Sequence, residues 1–115
     1  MSNRLDVSQN GDVTIAKFLD KKILDQLIIQ DLGNELFALV EEEKKEKLLL
    51  DFSEVEFLSS AALNKLIVLD RKMKASGGKL KFANLRAETH EVFMITRLNQ
   101  LFDIQDTDAD ALASF

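Results

Sequence analysis

The chain has 115 residues, a formal net charge of −5 and a sequence pI of about 4.9. This length suits one domain with a single core. Hydrophobic residues make up 46% and charged residues 30%, which is typical of a folded globular protein. The absence of cysteine excludes disulfides, thiolate metal sites and cysteine catalysis, and a single histidine weakens any histidine-based metal site or catalytic triad. The acidic balance disfavours nucleic-acid binding.

The sequence predicts a single domain over residues 1–115. The sequence has no proline, no repeat and no linker-like tract. No apolar run is long enough to cross a bilayer, and Met1-Ser2-Asn3-Arg4 is not followed by the apolar core of a signal peptide. We therefore expect a cytoplasmic protein with no membrane insertion.

The first predicted element is a β-hairpin. Two runs of alternating apolar and polar residues, 5–9 and 13–18, flank the dipeptide Asn10-Gly11. Asn-Gly between alternating runs is the strongest short-range hairpin signal.

The rest of the chain alternates between helical and extended patterns. Helical spacing of apolar residues predicts helices over about 24–43, 60–75, 88–96 and 108–113, and short apolar runs predict strands over 48–52, 80–83 and near Ile104. Strands that alternate with helices imply an α/β fold with right-handed crossovers. We expect a mixed, mostly parallel β-sheet of four to five strands, opened by the hairpin and packed with about four helices. The predicted core includes Leu50, Phe52, Leu66, Leu69 and Phe93.

The sequence offers little that resembles a catalytic, cofactor or metal site. Gly77-Gly78 follows a helix and is interpreted as its C-terminal cap rather than a phosphate loop. His90 is expected on an exposed helical face. The acidic residues from Asp103 to Asp110 lack the glycine and the closing glutamate of a calcium loop, and Asp106 or Thr107 is better interpreted as a helix cap. We predict no enzymatic activity, no cofactor and no metal.

Two adjacent hydroxyls, Ser59 and Ser60, lie where a predicted strand meets a predicted helix. A cap explains one serine, because its side chain accepts a hydrogen bond from a free amide of the first turn. The second serine is a candidate modification site, since the partial positive charge of a helix N-terminus tolerates a phosphate. Spacing alone does not tell which serine is the cap.

The helix after the serines has a second apolar stripe, formed by Leu63, Ile67 and Val68. One interpretation is an exposed apolar face beside a switchable charge, as a regulated binding surface requires. The other is a helix buried on both sides.

These features together resemble the STAS domain, the fold of bacterial anti-sigma factor antagonists. The resemblance covers essentially the whole chain, in order. It is carried by the strand and turn LLDFSEVEFLSSAAL (residues 49–63), by Gly77-Gly78-Lys79-Leu80, and by Phe93 with the tail LNQLFDI (residues 98–104).

The resemblance implies a protein that takes part in partner switching, a form of signal transduction that regulates transcription. It places the phosphoacceptor at Ser60, with Ser59 as the alternate. A serine-kinase anti-sigma factor would bind the unphosphorylated form, and a serine phosphatase would reset it. The implied partner face comprises Asp20, Ala61, Ala62, Leu63 and Asn64.

The chain departs from the family pattern at four places that bear on this function. Ser59 replaces the aspartate before the acceptor, Ala62 replaces a glycine after it, and Arg97 replaces the glycine of the tail. Lys17-Phe18 stands where a Gly-Glu pair usually precedes Leu19-Asp20. An alternative function is that of a constitutive STAS scaffold, a subunit of a stressosome-like or transporter-associated complex that is not phosphorylated. A small enzyme of the same architecture is the weakest alternative, because one histidine and no cysteine supply no nucleophile–base pair.

Overall fold

The computed structural model describes residues 4–115. Residues 4–115 form seven strands, four α-helices and one 3-10 helix, and the five strands of the main sheet alternate with the α-helices in the predicted order. The strands are β1 Leu5–Asn10, β2 Val13–Phe18, β3 Lys22–Ile23, β4 Lys47–Asp51, β5 Phe57–Leu58, β6 Lys79–Ala83 and β7 Asp103–Ile104. The helices are α1 Gln26–Glu41, α2 Ser60–Ala75, α3 Ala87–Ile95 and α4 Asp108–Ser114, and the 3-10 helix is Leu98–Gln100.

The main sheet has five strands in the order β1-β2-β4-β6-β7. Strands β1 and β2 form the predicted antiparallel hairpin, in which Gly11 takes a left-handed φ of 61° that suits the tight Asn10-Gly11 turn. The three remaining pairs are parallel, as their helical crossovers require. The predicted fold class is confirmed.

The core lies between one face of the sheet and helices α1, α2 and α3. The five predicted core residues are each at most 2% exposed. Phenylalanines from the strands, from α3 and from residues next to strand ends form a contiguous cluster with ring centroids 4.5–6.0 Å apart. Its members are Phe18, Phe52, Phe82, Phe93 and Phe102.

The opposite face of the sheet is covered in part by α4. Leu49 of β4 is fully buried there against Val13, Ala83 and Ala111, while Leu48 and Leu50 point into the main core. Strand β4 is therefore covered on both faces, as its continuous apolar run predicts. The described residues contain no helix that is long and apolar enough to span a membrane.

A two-stranded parallel ribbon, formed by β3 and β5, is the main feature that the sequence did not predict. Lys22 pairs with Phe57, and Ile23 pairs with Leu58. Helix α1 also begins two residues later than predicted. Asp25 takes an extended conformation and its carboxylate accepts hydrogen bonds from the amides of Leu27 (2.8 Å) and Ile28 (3.4 Å), so it is the N-cap.

Candidate functional site

Ser59 is the N-cap of α2. Its side-chain oxygen accepts a hydrogen bond from the amide of Ala62 at 3.2 Å, and its carbonyl accepts from the amide of Leu63 at 3.0 Å. Its backbone is extended, with φ −85° and ψ 166°, as a cap requires. The hydroxyl oxygen of Ser59 is therefore engaged in holding the first turn of the helix.

Ser60 is the first residue of α2 and is exposed to solvent. Within residues 4–115 its hydroxyl makes no hydrogen bond, in contrast to that of its neighbour. Ser60 therefore lies next to the cap on the surface of the protein. The structure thus separates two hydroxyls that the sequence left equivalent: one caps the helix and the other is available for chemistry.

The β3–β5 ribbon positions this pair of serines. The amide of Ser59 donates to the carbonyl of Ile23 at 3.1 Å, and the amide of Phe57 donates to that of Lys21 at 3.1 Å. Ile23 is fully buried, so the ribbon is anchored in the core. The start of α2 is consequently held by hydrogen bonds to residues 21 and 23, as well as by the hydrogen bonds of its own helix.

The segment that leads to the ribbon is anchored too. Asp51, the last residue of β4, accepts hydrogen bonds from the amide of Ser53 (2.9 Å) and from the side chain of Asn84 (3.3 Å). The hydroxyl of Thr89 on α3 donates to the carbonyl of the fully buried Val55 at 3.1 Å. These contacts hold the chain between β4 and Ser59 in one conformation.

The four residues after Ser60 divide between surface and core. Ala61 and Asn64 are exposed, whereas Ala62 and Leu63 are buried at 5% and 7% exposure. The helical period explains the division, because Ala62 and Leu63 lie on the same side as Leu66, which faces the sheet. The surface of this turn is accordingly made by Ser60, Ala61 and Asn64.

The second apolar stripe of α2 is largely covered. Ile67 packs against the main core and Val68 is half-buried, so together with the buried Leu63 they leave little open apolar surface. Of the two interpretations that the sequence allowed, the structure supports the helix that is packed on both sides.

Asp20, the acidic residue of the expected partner face, is held by Arg4. Its carboxylate accepts a hydrogen bond from the guanidinium of Arg4 at 3.3 Å, and its other oxygen is buried with no hydrogen-bond partner among residues 4–115. The amide of Arg4 in turn donates to the carboxylate of Glu35 on α1. In the described residues Asp20 thus joins the start of β1 to the end of β2.

Exposed apolar side chains beside the ribbon are the part of the site that sequence analysis missed. Leu24, Leu27 and Phe57 are 52%, 71% and 47% exposed. The buried stripe of α1 contains Leu32, Leu36 and Leu39, and Leu27 does not fall on it. The helical position of Leu27 was therefore the one feature of the sequence that could have indicated its exposure.

The other candidates behave as structural residues. His90 is exposed on α3 as expected, Gly77 follows α2 with a φ of 77°, and Thr107 caps α4 by accepting from the amide of Asp110 at 3.1 Å. Burial raises the pKa of Asp103, but hydrogen bonds from Lys81 and Gln105 outweigh it and hold that pKa below its usual range. Among the described residues no group of acidic or histidine side chains is arranged to hold a metal ion.

A groove of about 310 Å³ runs between the N-terminal halves of α1 and α2, beside the exposed serine. Its polar walls carry Gln26, Gln30 and Asn34 from α1, and Asn64 and Lys65 from α2. The site therefore consists of a free serine hydroxyl at a helix N-terminus, a polar groove beside it, and exposed apolar side chains in the ribbon and at the start of α1.

The fold and this site define a protein of the STAS class, and residues 8–111 match the STAS domain family. The chain belongs to that family. It is 26% identical over 86 residues to BtrV of Bordetella bronchiseptica, which is named as an anti-sigma factor antagonist; the match covers 75% of this chain and 73% of that protein.

Solved structures show the same architecture. A protein of Thermotoga maritima, described as an anti-sigma factor antagonist, superposes with a TM-score of 0.84 at 21% identity, over 96% of this chain and 92% of that chain. The phosphorylated form of SpoIIAA, a cell fate determinant of Bacillus, superposes with a TM-score of 0.71 at 12% identity, over 96% and 97% of the two chains. Identities this low show the shared fold alone.

Proposed function

We propose that this chain is an anti-sigma factor antagonist that works as a phosphorylation-controlled binding module, with Ser60 as the phosphoacceptor. Unphosphorylated, it binds a serine-kinase anti-sigma factor and so releases the sigma factor; a serine phosphatase restores this form. These partners act in the cytoplasm, and the chain is a substrate and ligand in the cycle rather than an enzyme.

One observation carries the proposal: the hydroxyl of Ser60 is exposed and unbonded within the described residues, while Ser59 does the capping. A kinase needs a hydroxyl that it can reach without first breaking native interactions. To enter the active site of a kinase, the hydroxyl of Ser59 must first leave the amide of Ala62, which uncaps the helix during the transfer. Ser59 is therefore the alternate acceptor, at a higher conformational cost.

The chemistry leaves the fold intact. The oxygen of Ser60 forms a bond to the γ-phosphorus of ATP as the β–γ bridging bond breaks, ADP leaves, and the hydroxyl proton passes to a base of the kinase. The phosphatase reverses the modification with water, releasing inorganic phosphate. At the N-terminus of a sixteen-residue helix the new charge meets a favourable dipole and free amides.

The phosphate acts on binding instead of on folding. It brings nearly two negative charges and three strong acceptor oxygens to the surface formed by Ser60, Ala61 and Asn64. A partner that covers this turn must desolvate those charges, and its affinity falls. Because Leu63 is buried, the partner senses the phosphate through these exposed positions rather than through that leucine.

Binding to purified kinases tests the proposal. Each serine-kinase anti-sigma factor encoded in the same genome is titrated with the chain before and after treatment with that kinase and Mg-ATP. We expect one of the kinases to bind the unmodified chain, to add a single phosphate, and to lose affinity at least tenfold once it is added. Binding that persists unchanged with no phosphate added would favour the constitutive scaffold, and binding to none of the kinases would contradict the proposal.

A further inference from the structure

Strand β1 forms one edge of the main sheet, and within residues 4–115 it pairs only with β2. The phase of this pairing is fixed at both ends of the hairpin. The two-residue loop Gly11-Asp12 makes Asn10 and Val13 a hydrogen-bonded pair. At the other end, the amide of Leu19 donates to the carbonyl of Arg4 at 3.2 Å.

This phase decides which backbone groups of β1 lie on the open edge. Arg4 and Asn10 direct their backbone groups toward β2, and every second residue between them does the same. The amides and carbonyls of Leu5, Val7 and Gln9 therefore point away from β2. The amide of Leu5 donates to the carboxylate of Glu35 at 3.4 Å, and the other outward groups meet no partner in the described part of the chain.

Strand β1 lacks the features that protect an exposed edge. Protected edge strands are short or bulged, or they carry proline or lysine. The opposite edge strand, β7, has two residues, whereas β1 has six and pairs with β2 residue by residue, without a bulge. It contains neither proline nor lysine, and Val7 at its centre is 43% exposed. A regular edge of this length is a surface to which a further strand can add.

The sequence of β1 is complementary to itself in one register. We infer that two copies of the chain pair through β1, antiparallel and about a two-fold axis at Val7. The amide of Val7 then donates to the Val7 carbonyl of the second copy, and the amide of Gln9 donates to its Leu5 carbonyl. Asp6, the one charged residue of β1, lies opposite Ser8 of the second copy, so its carboxylate faces a hydroxyl donor and not another carboxylate.

Other symmetric registers use the edge less well. Because only alternate residues have outward groups, the axis can also lie at Leu5 or at Gln9. An axis at Leu5 would put the amide that Glu35 accepts at the centre of the ladder, and an axis at Gln9 would extend the ladder past Asn10 into the turn. Pairing at Val7 joins the two main sheets into one. It does not depend on the proposed function, since Ser60 is not part of β1.

Disulfide trapping tests the register, because the chain has no cysteine of its own. Asp6→Cys and Ser8→Cys are oxidised mildly, each alone and as a mixture. In the mixture the two cysteines form a non-hydrogen-bonded pair with Cα atoms about 4.5 Å apart, within disulfide reach. In either variant alone they lie on a diagonal of about 7–8 Å, so we expect at least about fivefold less cross-linked dimer.

Sedimentation equilibrium tests the pairing without a covalent bond. Ser8→Asp places two carboxylates opposite each other at both ends of the seam, and Ser8→Lys places an ammonium opposite each Asp6. We expect the dimer dissociation constant to rise about fivefold in the first variant and to fall by a similar factor in the second.

A proline tests the backbone ladder itself. Val7→Pro removes an amide that points outward and leaves the hydrogen bonds to β2 in place, so it should give a folded monomer, whereas Val7→Thr should remain a dimer. A denaturation curve for each variant checks that the fold is retained.

Four results would overturn the inference. They are a parent chain that stays monomeric up to millimolar concentration, equal cross-linking in the mixture and in the single variants, shifts of the same sign for Ser8→Asp and Ser8→Lys, and a folded Val7→Pro that still dimerises. A monomeric parent that takes up an extended peptide along β1 would assign the edge to another protein. Loss or retention of kinase binding bears on the proposed function alone.

Discussion

The two helices that begin side by side at the ribbon are capped in different ways. Helix α1 begins with the carboxylate of Asp25, which accepts from two amides, whereas α2 begins with the uncharged hydroxyl of Ser59, which accepts from one. A carboxylate offsets the positive end of the helix dipole, and a hydroxyl does not. Helix α2 has no acidic residue in its first turn either, so its N-terminus is the one of the two that can still accept a negative group.

The difference between the two caps explains the effect of Ser59, which departs from the family pattern. The pattern has an aspartate before the acceptor serine, and this chain has Ser59. A hydroxyl preserves the cap and removes a negative neighbour, so a phosphate on Ser60 meets less repulsion. The substitution thus removes a fixed charge beside the proposed phosphoacceptor at the start of α2.

The largest expected loss of stability comes from removing a core side chain that packs α2 against the sheet. Leu66 is 2% exposed and packs in the main core. Leu66→Ala should lower the free energy of unfolding by about 2–5 kcal/mol in chemical denaturation, because it removes buried methyl groups and leaves a cavity. Val68→Ala, at a half-buried position of the same helix, should cost clearly less. A loss of under about half a kcal/mol at Leu66 would mean that the phase of α2 is wrong.

The caps are compared directly by removing each one. Ser59→Ala should cost about 1 kcal/mol of unfolding free energy, and Asp25→Ala about the same or more, because each loses the acceptor of a first-turn amide. Ser60→Ala should change it by less than about 0.5 kcal/mol, as at an ordinary surface position. Equal losses at the two serines would show that both hydroxyls stabilise the helix and that Ser60 is not free.

A second departure from the family pattern should lower stability. Arg97 has a left-handed φ of 61°, where the pattern has glycine. That conformation costs a side-chain-bearing residue about 1–2 kcal/mol, and part of the gain on changing to glycine is lost to the entropy of the unfolded chain. Arg97→Gly should therefore raise the unfolding free energy by up to about 1 kcal/mol. Arg71→Gly, inside α2, should lower it by a similar amount, and a loss at both positions would contradict the expectation.

The smallest expected change in stability comes from imitating the phosphate. Ser60→Asp should stabilise the fold by about 0.3–1 kcal/mol, since it gives α2 the charge at its N-terminus that α1 already has. The same substitution should weaken kinase binding, and isothermal titration beside a denaturation curve measures both on one sample. A variant that binds as tightly as the parent, or that unfolds more easily, would break the link between the helix dipole and the switch.

The order of strands and helices could be predicted because the elements are long and strongly patterned. The run over β4, the stripe of α2 and the Asn10-Gly11 turn each have one simple structural explanation. The ribbon could not be predicted, since a strand of two residues has no alternation to recognise, and its hydrogen bonds join Lys21 and Ile23 to a segment more than thirty residues away.

The candidate site was predicted in outline only. The junction at Ser59 and Ser60 was found from its two hydroxyls. Which serine is the cap depends on whether the helix begins one residue earlier or later, and helix boundaries are not predicted that closely. Leu63 was expected on the partner face, whereas the helix begins at a phase that buries it. The exposure of Leu27 depends on where Asp25 starts α1, so it too required the structure.

Site-localised mass spectrometry tests the central claim most directly. The parent chain, Ser59→Ala and Ser60→Ala are incubated with the kinase that binds the chain and with Mg-ATP, and the phosphorylated residue is assigned by tandem fragmentation. We expect one phosphate on Ser60 in the parent and in Ser59→Ala, and none in Ser60→Ala. Phosphate on Ser59 in the parent, or no phosphate on either serine while binding is intact, would contradict that claim.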